Sequence, residues 1–265
     1  MGVYGYSGNG FSIPEGYLDV EVRDDDGAPH SREILFPTKP GSVYHMTKSL
    51  DQLLFQFYAQ NDRLKITDLH QGIVWGTQTA ETSLDPRLVN RFDYDGEYGT
   101  VLNRFLVESA IGHPLTVHGT GGQTRAFINI QDTVQCVKLA IEAPPERGEK
   151  VKILNQIAET LRVIDLAELV AKRTGAEIAC VPNPRAEAAE NELVVSNATF
   201  RALGLDPILL DSDLLEETIT LSRQHKARVD LDMIPARSAW NKERKGRLAA
   251  PPTETNDRTA EPVAD

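Results

Sequence analysis

The sequence predicts an α/β fold, and three observations predict it. Short apolar runs of strand length alternate with segments of helical period from about residue 64 to residue 181. Glycine- or proline-containing turns separate many of them, as at Gly112-His113-Pro114, Gly119–Gly122 and Gly175. A long amphipathic helix, opened by Ser42 after Pro40-Gly41, precedes the alternation.

Taken in order, Leu18, Val20 and Val22 alternate with charged residues, Asp24-Asp25-Asp26-Gly27 turns, and Glu33 to Phe36 is extended again, which predicts a β-hairpin. Three adjacent aspartates in such a turn read as solvated turn residues rather than a metal site. In the helix that follows, Val43, Met46, Leu50, Leu53, Leu54 and Phe57 recur at helical spacing and predict a buried stripe. Leu64 to Leu69 reads as a strand running into His70-Gln71-Gly72, and residues 77–96 as a long polar surface loop. A helix from Tyr98 to Ile111, a strand from Leu115 to His118, a glycine turn, a strand from Arg125 to Ile130 and a helix from Asp132 to Ala143 come next. Val151 to Asn155 is a strand, Ile164 to Arg173 a helix closed by Gly175, and Ile178 to Val181 a strand. Pro182-Asn183-Pro184-Arg185 makes a rigid turn, and helices at Asn197–Leu203 and Ser212–Arg228 complete the ordered part. From Lys242 onward no apolar period remains, so 241–265 is expected to be a disordered tail.

Composition narrows the function classes. Among 265 residues, 40% are hydrophobic and 25% charged, the balance of an ordinary cytoplasmic protein without a membrane span or signal segment. A net charge of −11 argues against nucleic acid or an anionic membrane as partner, so any anionic ligand needs a local basic cluster. Cys136 and Cys180 have no metal-ligand spacing around them and read as reduced, buried packing residues. The histidines are scattered, no metal site is expected, and no G-x-S-x-G elbow suggests a serine hydrolase.

The chemistry concentrates in Tyr44 and Lys48. Four residues apart on a helix, they share a face one turn apart. An ammonium beside a phenol favours the phenolate, which makes Tyr44 a candidate base toward an alcohol. His45 is titratable but diverges from Tyr44 by about 100° around the helix. Gln71, at the carboxyl end of a strand, is placed where ligands gather in a doubly wound sheet. Gly119-Thr120-Gly121-Gly122-Gln123-Thr124-Arg125 lacks the ending of a P-loop and reads as a turn that brings Arg125 to an anion, with Arg185 as a second guanidinium.

Tyr44-His45-Met46-Thr47-Lys48 followed by Thr67-Asp68-Leu69-His70-Gln71-Gly72-Ile73-Val74-Trp75-Gly76 resembles the extended short-chain dehydrogenase/reductase family, the NAD-dependent epimerases and dehydratases. Asn90–Asp95, Gly99–Phe105, Gly112–Val117, Gly119–Arg125, Asp132–Val137 and Val181–Arg185 are similar to a subgroup that adds sulfite to UDP-glucose, and the likeness runs from Met1 to about Trp240. The resemblance implies the C-terminal part of a Rossmann-type doubly wound parallel sheet plus a smaller α/β nucleotide-sugar-binding domain. It divides the chain into 1–76, the remaining NAD-binding part, and 77–240, the UDP-sugar domain, with 125–155 packing back on the first sheet.

It further implies that Tyr44 takes the proton of the sugar 4-hydroxyl as NAD takes the C4 hydride, with Lys48 on the nicotinamide ribose and His45 beside them. The 4-ketone acidifies C5–H, water leaves from C6, sulfite or a sulfite donor protein supplies the sulfur, and the hydride returns. Gln71 and Val74 would lie at the nicotinamide and sugar. Thr100, Asn103, Thr116, His118, Gln123, Arg125 and Arg185 would line the UDP-glucose site, both arginines on the diphosphate. The family's glycine-rich pyrophosphate cradle has no counterpart here, so the chain is expected to be the carboxyl-terminal portion of such an enzyme, inactive alone and a homodimer when complete. Sibling chemistries (4-epimerisation, 4,6-dehydration) share the Tyr/Lys pair, and a non-catalytic UDP-sugar-binding or dimerising fragment is the competing class.

Overall fold

The computed structural model describes residue 4 and residues 12–96, 98–183 and 190–234. Strands β1 (Tyr17–Arg23) and β2 (Pro29–Leu35) form the predicted antiparallel hairpin, Tyr17 opposite Leu35 and Arg23 opposite Pro29. Asp24 builds its turn, accepting from the backbone N–H groups of Asp26 at 3.1 Å and Ala28 at 2.8 Å.

Helix α1 (Val43–Asn61) starts where the cap predicts, with the Ser42 hydroxyl accepting from His45 N at 3.1 Å. Its apolar stripe is the first correction. Val43, Met46, Leu50, Leu53, Leu54 and Phe57 are between 45% and 65% exposed, and the buried positions are Ser49, Gln52 and Ala59. Helical period fixes which residues share a face, but a face is buried only where another element covers it. Here Phe55 and Ala59 face the hairpin and a neighbouring strand, packing with Tyr17, Leu35, Val151 and Ile153.

Strand β3 (Thr67–Gln71) pairs in parallel with β7 (Lys152–Gln156), and β4 (Ile73–Trp75) with β6 (Gly122–Asn129). β6 also takes β8 (Glu159–Arg162) antiparallel and the short β10 (Glu190–Asn191) parallel, while β5 (Leu115–His118) pairs in parallel with β9 (Ile178–Val181). β8 and the two-residue β10 are strands that periodicity misses; in β8 Leu161 is the single large apolar residue. Cys136 is buried as expected, but Cys180 on β9 is exposed, since its side chain falls on the solvent side of the alternation. Of residues 1–11 only Tyr4 is described, and it is 1% exposed; the 241–265 stretch lies outside the described residues.

The largest core cluster sits where α2 (Val101–Ala110), α4 (Val163–Thr174) and α6 (Leu214–Gln224) close over β5 and β6. Leu102, Phe105 and Leu106 of α2 are fully buried against Trp75, Leu166, Val170 and Leu215. Gly175, at φ 77°, ends α4 in the left-handed conformation that glycine adopts without strain. Helix α3 (Ile130–Glu142) turns its inner face to a second cluster, where Cys136 and Leu139 meet Ile128, Leu154 and Phe200 of the short α5 (Ala198–Ala202).

Two carboxylates, Asp132 buried and Glu159 half-buried, strap the chain after α5 onto this body. Asp132 of α3 accepts from Ile208 N at 2.7 Å, and Glu159 of β8 from Leu210 N at 2.5 Å. Burial pushes both carboxyls above the usual range, outweighing these hydrogen bonds. A carboxyl raised in the folded state contributes stability below its unfolded pKa, about 4, and that contribution is lost as pH climbs through the folded value. The pair Asp132→Asn and Glu159→Gln keeps the acceptor oxygens and removes the titration. Thermal melts of the double variant should show a shallower loss of stability above about pH 4 and a Tm at neutral pH no lower than the parent's. A lower neutral Tm would mean that the charges themselves hold the strap.

Candidate active site

Two cavities meet at one arginine. The larger, about 600 Å³, is walled by Tyr44, His45 and Lys48 from α1, by Asp68, His70 and Gln71 from β3, and by Thr100 and Arg125. The smaller, about 80 Å³, is lined by Thr116, His118, Gln123 and Arg125 together with Gly99, Arg104 and Asn183. Arg125 belongs to both, so the phenol–lysine pair and the guanidinium share a continuous wall although they lie far apart in the chain.

Each side chain is placed by its element. One helical turn sets Lys48 Nζ 5.6 Å from the centroid of the Tyr44 ring, and Asp51 sits 3.4 Å from the same ammonium. The phenol remains 65% exposed, open to whatever enters. His45 points its ring beside that of Tyr44, 5.9 Å between centroids, and lines the same wall. Gln71 ends β3 at its carboxyl edge, where the sequence places it. The glycine turn before β6 is tight: Gly121 has φ 73°, and a Cβ there would lie 2.8 Å from Val117 Cγ1 and 2.9 Å from Ile164 Cβ. That close packing aims the start of β6, with Gln123 and Arg125, at the cavities.

Two sequence-predicted residues lie elsewhere. Val74 packs with the Ile128, Cys136 and Leu154 cluster, while its neighbour Ile73 lines the cavity; on a strand only one of two adjacent side chains can face a given side. Asn103 donates from Nδ2 to Asp93 O at 3.1 Å and so ties the 77–96 loop to α2 instead of lining the cleft. Arg185 lies outside the described residues, although Asn183, two positions earlier, lines the smaller cavity.

Sequence reasoning missed four residues. Arg104 is 8% exposed among the buried apolar residues of α2 and donates to Gly99 O at 2.8 Å; a charge inside a largely apolar stripe was the available signal. Glu108, one turn further and fully buried, accepts from Thr116 N at 2.8 Å and from the Thr116 hydroxyl. Burial raises the Glu108 carboxyl above its ordinary range even against those bonds. It spends the Thr116 hydroxyl proton, leaving Thr116 an acceptor toward the cavity. Asp68 and His70, on the wall of the larger cavity, are the other two.

The wall suits the nicotinamide–ribose end of a dinucleotide: Tyr44, Lys48 and Gln71 offer polar groups beside apolar Phe55, Leu69 and Ile73. Among the described residues no glycine-rich turn opens a helix that could cradle the pyrophosphate. No family model matches the chain. Over 247 residues, 91% of this chain and 50% of the relative, it is 40% identical to the chloroplastic UDP-sulfoquinovose synthase of Spinacia oleracea. A UDP-sulfoquinovose synthase of Sulfolobus acidocaldarius is 39% identical over 213 residues, 78% of this chain and 52% of that one. The chain belongs to the UDP-sulfoquinovose synthase family. It spans about half the length of the curated relatives it matches. The fold agrees. UDP-glucuronic acid 4-epimerase from Bacillus cereus, solved with UDP-glucuronic acid and NAD, superposes with a TM-score of 0.55 at 22% identity, covering 80% of this chain and 60% of that one. The α/β architecture is therefore that of the Rossmann-type epimerases and dehydratases.

Proposed function

We propose that this chain carries the phenol base and the nucleotide-sugar grip of a UDP-sulfoquinovose synthase, which joins UDP-glucose and sulfite in an NAD-dependent reaction. The observation that supports it most is the shared wall on which Tyr44, Lys48 and Arg125 meet. In this reading Tyr44 takes the proton of the sugar 4-hydroxyl, and the neighbouring ammonium of Lys48 favours the phenolate. Arg125 neutralises the diphosphate, with Arg185 as its partner, while Gln71, Thr100, Thr116, His118 and Gln123 orient nucleotide and sugar. NAD, when bound, accepts and later returns a hydride, and Tyr44, Lys48 and Gln71 would hold its nicotinamide ribose. Residues 1–76 then form the cofactor-binding part and 77–240 the substrate part, with β7 returning to pair with β3.

The test is turnover. A polypeptide of the relatives' full length that contains this chain should consume UDP-glucose and sulfite only when NAD is present. Formation of a UDP-galactose or a 4-keto-6-deoxy sugar nucleotide instead would turn the reading toward an epimerase or dehydratase. The half-length span supports a second reading, a UDP-sugar-binding chain without turnover of its own, which UDP binding in calorimetry together with no NAD-dependent turnover in the full-length polypeptide would favour over the first. The exposed apolar face of α1 supports pairing of two copies, as a homodimer, and a strictly monomeric full-length protein in sedimentation would sink that part. Free Cys136 and Cys180 suit a reducing compartment such as the cytoplasm, which cell fractionation checks.

A further inference from the structure

Behind the cavity wall runs a buried polar chain whose donors and acceptors can be counted. Asn155, fully buried on β7, donates from Nδ2 to Ser196 O at 2.8 Å and to Pro14 O at 3.1 Å. Those two carbonyls fix its amide orientation and turn Oδ1, an acceptor, toward the Tyr4 hydroxyl at 2.9 Å. Tyr4 has one proton to give. Its other nearby carbonyl, Pro14 O at 3.5 Å, is also an acceptor, so the proton is spent on that side. The Tyr4 oxygen must then accept from the third group around it, His70 Nδ1 at 2.7 Å. On the opposite edge of the ring, His70 Nε2 lies 3.0 Å from Asp68 Oδ2. A proton belongs on that contact as well, and the imidazole is the stronger base.

We propose that His70 is an imidazolium, protonated on both ring nitrogens, whose charge cancels Asp68 on the cavity wall and so admits an anionic nucleotide. This rests on the nucleotide reading above for the ligand, but not for the protonation. Both halves of the pair line the larger cavity, with the side chain of His70 2% and that of Asp68 13% exposed. The groups facing the ring are Asp68 beside it on β3, Tyr4, and Asn155 beyond Tyr4; Glu15 adds a further negative charge near Tyr4. Burial drives the Tyr4 hydroxyl far above its ordinary range, so it keeps the proton that the count assigns to it. Without the imidazolium, Asp68 would be an uncompensated carboxylate facing an anion, whereas Asp51 on the same wall is paired with Lys48. His70 thus acts as a positioning residue, through Asp68 and not by touching the ligand.

Nitrogen NMR of the histidine rings in the whole chain tests the first part. At neutral pH both His70 nitrogens should resonate as protonated, and Tyr4→Phe, which removes the Nδ1 acceptor, should shift the ring toward the neutral form. A neutral His70 in the unaltered protein overturns the proposal. UDP calorimetry tests the second part. His70→Asn should weaken UDP by about tenfold, as expected for one uncompensated charge near a diphosphate, and Asp68→Asn added to it should restore the affinity. Unchanged affinity in His70→Asn, or no rescue by the second substitution, overturns the anion-admitting role. If the unaltered chain binds no UDP, the nucleotide reading fails and that role with it, while the NMR result still decides the protonation.

Discussion

Phenylalanine in place of Tyr44 should lower the NAD-dependent turnover of UDP-glucose with sulfite by roughly 10²- to 10⁴-fold, the range by which a positioned acid or base accelerates a reaction. The substitution removes one oxygen from a ring that is already 65% exposed, so no cavity opens and no buried partner is orphaned. Melting temperature and far-UV circular dichroism of the variant should match the parent. KM for UDP-glucose should also stay close to the parent value, because the phenol would act on a proton in transit and the diphosphate is gripped elsewhere. Lys48→Met offers the complementary result. With the ammonium 5.6 Å from the ring centroid gone, a base at Tyr44 loses its nearest counter-charge, and turnover should fall while the melting temperature stays at the parent's. Turnover that survives Tyr44→Phe within a factor of a few would take the base away from α1 altogether.

Much of the fold could be read from local chemistry. Strand β5 coincides with its predicted span because Pro114 and Gly119 bracket four residues that alternate into a packed layer. The end of α4 was legible in Gly175, and the start of α1 in Ser42. What failed had a different cause. The stripe on α1 was correctly spaced and wrongly assigned to the core, since period carries no information about what covers a face. Val74 was assigned to the cleft although the period of two, once Ile73 is known to face it, sends Val74 to the other side. The meeting of Tyr44 with Arg125 depends on β4 and β6 pairing, Ile73 beside Phe127, which no local pattern encodes. Arg104 and Glu108 were hidden for a related reason: a charged residue inside an apolar helix face looks like noise until its partners, Gly99 O and Thr116, are brought alongside.

Arg125→Ala is the other large effect, and it separates binding from chemistry. The chain carries a net charge of −11, and on the larger cavity wall Asp51 is paired with Lys48 and Asp68 with His70, so attraction for a diphosphate falls to Arg125. Arg125 is the guanidinium that both cavities share, and Arg104 stands behind it in the smaller one. A hydrogen bond to a charged group contributes about 1.5–3 kcal/mol, which corresponds to a loss of roughly one to two decades in UDP affinity when it is removed. Arg125→Lys should recover only part of that loss, because an ammonium keeps the charge and loses the planar fork that matches two phosphate oxygens. Calorimetry with UDP, at low and raised salt, reads both effects. The alanine variant should also lose most of the salt dependence shown by the parent, since the screened interaction is gone. Equal UDP affinity for parent and alanine variant would mean that the nucleotide, if it binds at all, lies away from the seam between the two cavities. Tyr44 would then be a base with no substrate held against it.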